Sequence, residues 1–227
     1  MAEALRIAIV GAECTGKTAL AQALAERLRA LTGRRCTWVG EWLRHWCEQA
    51  SRRPRPDEQA AIAEQQHRLI DAAAQDYEVV ICDTTALMTA VYSDMLFDDH
   101  SLVPYAMAQQ RRCALTLLTA LDIEWVPDGP QRDGPQVRAP VDDRVRALLI
   151  GHQLPWSLVS GQGEKRLEAA VDAVAPLLRQ AGAAGSNGLF TRLAERDAAQ
   201  PAWTWACDNC DSPECEHLLM ASRRPCP

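Results

Sequence analysis

Residues 11–18 read Gly-Ala-Glu-Cys-Thr-Gly-Lys-Thr and follow directly on the apolar run Leu5-Arg6-Ile7-Ala8-Ile9-Val10. The spacing G-x-x-x-x-G-K-[ST] is met by Gly11, Gly16, Lys17 and Thr18. A buried strand in front and an Ala/Leu-rich helical pattern over 17–31 behind, ending near Gly33, give the setting this pattern requires. Glycines at these places let the backbone curl until successive N–H groups and a helix N-terminus face one anion. The loop Gly11, Ala12, Glu13, Cys14, Thr15, Gly16, Lys17, Thr18 and Ala19 is therefore expected to cradle the phosphates of ATP. Lys17 would reach the β- and γ-phosphates, and the Thr18 hydroxyl would ligate Mg²⁺.

The remaining pattern fits the same scheme. Short strands are expected at Cys36–Val39, at 78–82, over Ala114–Leu121 and over Trp156–Ser160, with a helix over roughly 57–76. Strands alternating with helices imply an α/β architecture of the P-loop NTPase kind: a parallel sheet of about five strands, flanked by helices and wound with right-handed crossovers. The stripe Leu167, Val171, Val174, Leu178 reads as core packing. Residues 127–140, Pro-Asp-Gly-Pro-Gln-Arg-Asp-Gly-Pro-Gln-Val-Arg-Ala-Pro, carry too much Pro and Gly for a long regular element, and are expected to form a solvent loop or a lid. From about Gly182 the texture changes to small residues and then to a segment rich in Trp and Cys. The expected division is a phosphate-loop domain over 1–181, a linker and helix over 182–202, and a short Cys/Trp-rich C-terminal tail over 203–227.

Asp83 ends the 78–82 strand, where a carboxylate would hold the Mg²⁺ directly or through water; it could equally cap the helical pattern that follows. The next residue is Thr84, whereas a water-activating site would place a glutamate there, so transfer to a substrate is favoured over hydrolysis. Only Asn187 and Asn209 occur in the chain and N-K-x-D is absent, which argues against a Ras-like guanine pocket. Glu41 and Arg44 follow the second strand at the carboxyl edge of the sheet, where ligands bind in open α/β folds. Glu41 is a candidate to accept the proton of an attacking hydroxyl or to grip a ribose diol; the alternative is a plain ion pair with Arg44. Arg132 and Arg138, in the expected lid, would close over the triphosphate and stabilise the transferring phosphoryl group.

A net charge of −6 argues against non-specific nucleic-acid binding, and neither a signal peptide nor a long uncharged apolar segment is visible. Nine cysteines, an odd number without a secretion signal, point to a reducing cytoplasm. Oligomeric state is not legible.

Taken in order, the segments resemble the nicotinamide riboside kinase domain of bacterial NadR-type proteins over roughly residues 5–175. "GAECTGKT" is similar to that family's G-x-E-S-S-G-K-S loop, "GEWLR" (40–44) to its E-Y-x-R-E segment, and "IAEQQ" (62–66) to its I-A-x-x-Q helix. "CDTTALMTAVYSD" (82–94) resembles C-D-T-D-x-x-T-x-x-W-S, "LDIEWVPDGPQRD" (121–133) resembles D-x-P-W-V-x-D-G-x-R-D, and "LVSG" (158–161) a late strand and turn. Position 85 is Thr where the family tends to carry Asp, and neither an H-x-G-H adenylyltransferase motif nor a helix-turn-helix accompanies the kinase unit. The resemblance implies an ATP- and Mg²⁺-dependent kinase for a small nucleoside-like acceptor, nicotinamide riboside first, with Lys17, Glu41, Asp83 and Arg132 in catalytic roles. It further implies acceptor contacts from Glu41, Arg44, Gln66 (its amide facing a carboxamide) and Asp128. The alternatives are another acceptor on the same scaffold, or a nucleotide-controlled switch acting on protein partners.

In the tail, Cys207-x₂-Cys210-x₄-Cys215-x-His217 offers four ligands for a closed, structural Zn²⁺ site. About 25 residues cannot bury enough surface to fold alone, so a metal would have to supply much of the stability. Protein purified under reducing conditions should then carry about one zinc per chain, lost on truncation after residue 185 with nucleotide binding retained. A zinc-free full-length chain whose tail thiols all react rapidly would refute the metal site.

Overall fold

The computed structural model describes residues 3–126 and 134–182, with side chains described as far as Arg179. Five strands, β1 (Leu5–Val10), β2 (Cys36–Val39), β3 (Val79–Asp83), β4 (Leu115–Thr119) and β5 (Trp156–Val159), form one parallel sheet in the order β2-β3-β1-β4-β5. Strands covered on both faces need uninterrupted apolar runs, and Ile7 to Val10 and Val79 to Cys82 are all fully buried.

Chain direction sets the layers. From β1 the chain crosses through α1 (Lys17–Thr32) to the β2 edge, then returns through α2 (Trp42–Ala50) and α3 (Gln59–Asp76) to β3. Next come α4 (Ala86–Phe97) and α5 (Val103–Gln110) before β4, α6 (Arg138–Gly151) before β5, and finally α7 (Glu164–Gly182). Because right-handed crossovers that run in opposite directions fall on opposite faces, α1 lies on one face and α3 to α6 on the other. Accordingly α1 packs on α7, while α4 packs on α3, α5 and α6. Leu87, Met88, Ala90 and Val91 of α4 are enclosed in the main apolar cluster with Met107, Val145 and Leu149. The stripe Leu167, Val171, Val174, Leu178 is buried, as its spacing requires.

The chain leaves the adjacent strands β1 and β3 toward opposite edges of the sheet. A crevice therefore opens at their carboxyl ends, where open α/β sheets bind ligands. The phosphate loop follows β1 there, and Asp83 closes β3 beside it, with Ile9 and Asp83 paired in register.

Two expectations need correction. The helix over 57–76 begins as a 3₁₀ turn at Pro56–Glu58 and becomes α-helical only from Gln59. The irregular stretch proposed for 127–140 ends early, because Pro135–Val137 makes a 3₁₀ turn and α6 starts at Arg138. Proline is tolerated in a first helical turn, where no N–H is needed, so Pro135 and Pro140 start this helix rather than exclude it.

One buried group sets an acid limit. His67 on α3 is 4% exposed, and neither ring nitrogen has a hydrogen-bond partner among the described residues. Burial lowers its pKa from 6.5 to about 4, with Asp71 opposing and Arg112 and Arg6 reinforcing the shift. As pH falls, the unfolded chain takes up this proton first, so stability should decline between about pH 6.5 and 4. The contribution is on the order of 3 kcal/mol. Denaturant titrations should show His67→Gln to be less acid-sensitive across that window; identical slopes for the two proteins would contradict the assignment.

Candidate active site

The phosphate loop takes its shape from two glycines and a set of buried polar anchors. Gly16 has φ 74° and caps α1 in the left-handed region, and Gly11 has φ 144°, again outside the range of ordinary side chains. A Cβ on Gly11 would collide with Thr119 Oγ1, so the loop can leave β1 only by passing directly against the end of β4. Thr15 and Thr119 share a hydrogen bond of 2.7 Å, and Thr119 Oγ1 also donates to Val10 O at 3.2 Å. Thr15 Oγ1 lies 2.8 Å from Ala12 O, to which Lys17 Nζ donates at 2.8 Å. Cys14, with φ 53°, donates its thiol to Val126 O at 3.2 Å.

Arg166 on α7 ties this loop to the far side of the sheet. It is 3% exposed, and its guanidinium donates to Thr15 O, Gly161 O (2.7 Å) and the Asp122 carboxylate. Burial lowers its pKa against the pull of Asp122, and the neighbouring Arg138 lowers it further. Asp122 in turn accepts from Gly161 N at 2.5 Å. Nothing in the sequence pattern marks Arg166. A lone arginine at the head of an amphipathic helix reads as solvated until the fold places it beneath the loop.

Thr18 Oγ1 donates to Asp83 Oδ2 at 2.6 Å, joining the start of α1 to the end of β3. Asp83 is 1% exposed and its Oδ1 has no hydrogen-bond partner among the described residues. Burial raises its pKa, while Thr18, Lys17 and Arg44 oppose the shift. A buried carboxylate oxygen without a donor, beside a threonine hydroxyl, is a fitting pair of oxygen ligands for a hard divalent cation. Thr84, buried with φ 67°, turns the chain sharply away from Asp83, and Thr85 caps α4 through Leu87 N. Asp83 is therefore not the cap of α4. Thr85 Oγ1 also donates to Gln110 Oε1 at 2.6 Å within a buried network, so the departure from the family pattern at position 85 does not face the crevice.

A cleft of about 950 Å³ runs from the phosphate loop across the carboxyl edge. Glu13, Cys14, Thr15, Gly16, Lys17, Thr18 and Ala19 line one end, and Glu41, Leu43, Arg44, Cys47, Glu48, Arg53, Gln59, Tyr92 and Met95 line the other. Glu41 precedes α2 and lies 3.7 Å from Arg44, so the ion pair and the position on the cleft wall occur together. Gly11 and Ala12 shape the loop from behind and are absent from the wall.

Other sequence-predicted residues fall elsewhere. Gln66 is 3% exposed and accepts from Trp42 N at 2.6 Å while donating to Gly40 O at 3.2 Å. Both ends of its amide are engaged by backbone, so it positions the Glu41 segment and is not offered to a ligand. Arg138 is not in a loop; it heads α6, 8% exposed, with Nε and Nη2 unpartnered among the described residues. Its neighbours Val137 and Val141 line the cleft. Asp128, Arg132, Cys207, Cys210, Cys215 and His217 lie outside the described residues. Among those described, Cys36, Cys47, Cys82 and Cys113 are free thiols, and no helix is long and apolar enough to cross a membrane.

Strand, phosphate loop, helix and an aspartate on the adjoining parallel strand define a P-loop nucleotide-binding fold. A family model described as an AAA domain matches residues 6–166, and the chain belongs to that family. A search of curated proteins returns no match. Among solved structures, a NadR protein in complex with NR superposes with a TM-score of 0.62 at 20% identity, covering 76% of this chain and 51% of that one. A NadR protein in complex with NAD and AMP-PNP gives 0.61 at 19%, covering 76% and 49%. Thymidylate kinase from Ehrlichia chaffeensis gives 0.54 at 15%, covering 78% and 100%. The chain thus spans about half the length of the NadR structures, and the likeness is one of fold.

If Arg166 sets the loop, Arg166→Met should weaken binding of a non-hydrolysable ATP analogue at least tenfold in calorimetric titration. Removing one partner of a buried charged network leaves Asp122 Oδ1 and the Thr15 carbonyl without the guanidinium donor. Unchanged affinity in a folded variant would mean that the loop holds its shape without the arginine.

Proposed function

We propose that the protein is an ATP-dependent kinase that transfers the γ-phosphate to a hydroxyl of a small nucleoside-like acceptor, with nicotinamide riboside the first candidate. The observation that carries this reading is a single cleft. It is lined by the phosphate loop, including Thr18, which bonds the buried Asp83 behind it, and by a wall of mixed charged and apolar side chains. A hydrolase needs room for one water; about 950 Å³ accommodates a second organic ligand. The fold likeness to a NadR protein crystallised with NR, and to a thymidylate kinase, supports the same choice.

In this reading Lys17 and the loop amides hold the triphosphate, and Thr18 and Asp83 would hold a Mg²⁺ ion, which when bound would supply charge neutralisation at the phosphates. The acceptor oxygen forms its bond to the γ-phosphorus as the bond from phosphorus to the β–γ bridging oxygen breaks, and ADP leaves. Glu41, paired with Arg44, takes the hydroxyl proton. Arg138, whose buried guanidinium has nitrogens left over for an anion, contacts the phosphates; Arg132 and Asp128 complete the acceptor and lid contacts.

Incubation with Mg-ATP and a nucleoside panel should yield a phosphate ester of at least one member. Lys17→Ala should lower kcat/KM by about 10²-fold or more, and Glu41→Gln should lower kcat more than it raises KM. A Glu41→Gln enzyme with full kcat would remove Glu41 from proton transfer, and full activity in Lys17→Ala would remove the phosphate loop from catalysis.

A further inference from the structure

We infer that Gln59 determines acceptor specificity, selecting a ring whose edge presents a paired donor and acceptor, as a carboxamide or a nucleobase amide does. The inference rests on the kinase reading and adds to it the chemistry of the acceptor. Gln59 is the first residue of α3, is 3% exposed, and belongs to the cleft wall. Its Oε1 has no hydrogen-bond partner among the described residues.

Two glutamines on one helix face make the contrast. Gln66, seven residues and about two turns further along, satisfies both ends of its amide on Trp42 N and Gly40 O. Gln59 has the same burial, and its Oε1 has no such partner among the described residues. Leaving a buried amide oxygen without a donor is costly, and such groups persist where a ligand supplies the missing partner. The surroundings say what kind of ligand. Leu43, Pro54, Tyr92 and Met95 line the same cleft with apolar and aromatic surface, which suits the face of a flat ring. An amide at the edge of such a wall reads the ring's polar substituent. The open group is the acceptor Oε1, so the N–H of a carboxamide satisfies it, whereas a carboxylate brings only further acceptors.

The test uses full-length protein saturated with Mg²⁺ and a non-hydrolysable ATP analogue, titrated with nicotinamide riboside and with nicotinic acid riboside. Wild type should bind the amide at least tenfold tighter than the acid. Gln59→Leu should bring the two within about twofold, with analogue affinity and Tm unchanged, because a site built to pair with a polar group discriminates through that group. Should Gln59→Leu not fold, Gln59→Glu, of the same shape, serves instead, and its amide-to-acid ratio should differ from wild type at least fivefold. Binding of neither probe, equal binding by wild type, or a ratio unmoved by substitution overturns the assignment. Phosphate-ester formation from the wider nucleoside panel reports separately on the kinase reading, so Gln59 can fail while that reading stands.

Discussion

The hydrogen bond from Thr18 to Asp83 holds together the parts of this molecule that matter for chemistry. It spans two elements that are distant in sequence and adjacent in the sheet, and it exists because β1 and β3 pair in parallel with Ile9 opposite Asp83. Slip that register by one residue and the carboxylate would turn to the other face of the sheet. The apolar runs of β1 and β3, the burial of α4 and the packing of α1 on α7 all serve to fix that register. Stability and function therefore meet in one short contact.

Around it the structure places charge where burial alone would forbid it. Asp83, Arg138 and Arg166 are each at most 8% exposed; Asp83 is near Lys17 and Arg44, and Arg166 is paired with Asp122. Arg166 is satisfied by carbonyls and a carboxylate, whereas Asp83 and Arg138 keep atoms without partners. Buried charges of this kind are tolerated when a ligand of opposite sign completes them.

The fold and the nucleotide end of the site were legible in the sequence, because their signals are local. Gly11, Gly16, Lys17 and Thr18 stand at fixed spacing, and the apolar runs announce buried strands. The acceptor end was less so. Gln66 and Gln59 look alike in sequence, and only the approach of the Gly40–Trp42 backbone decides which amide is engaged. Arg166 is one arginine in an amphipathic stretch, and its role comes from a crossover that brings α7 beneath the loop. Arg138 was legible as a phosphate candidate but not as the head of a helix, since prolines that start a helix look the same as prolines that prevent one.

The central claim is that the cleft passes a phosphoryl group to an organic hydroxyl and not to water. The measurement that bears on it most directly is the stoichiometry of one turnover, with ester, ADP and free phosphate quantified together at saturating acceptor. The account predicts close to one ester per ADP and almost no free phosphate. Free phosphate equal to ADP, with no ester from any nucleoside tried, would contradict it.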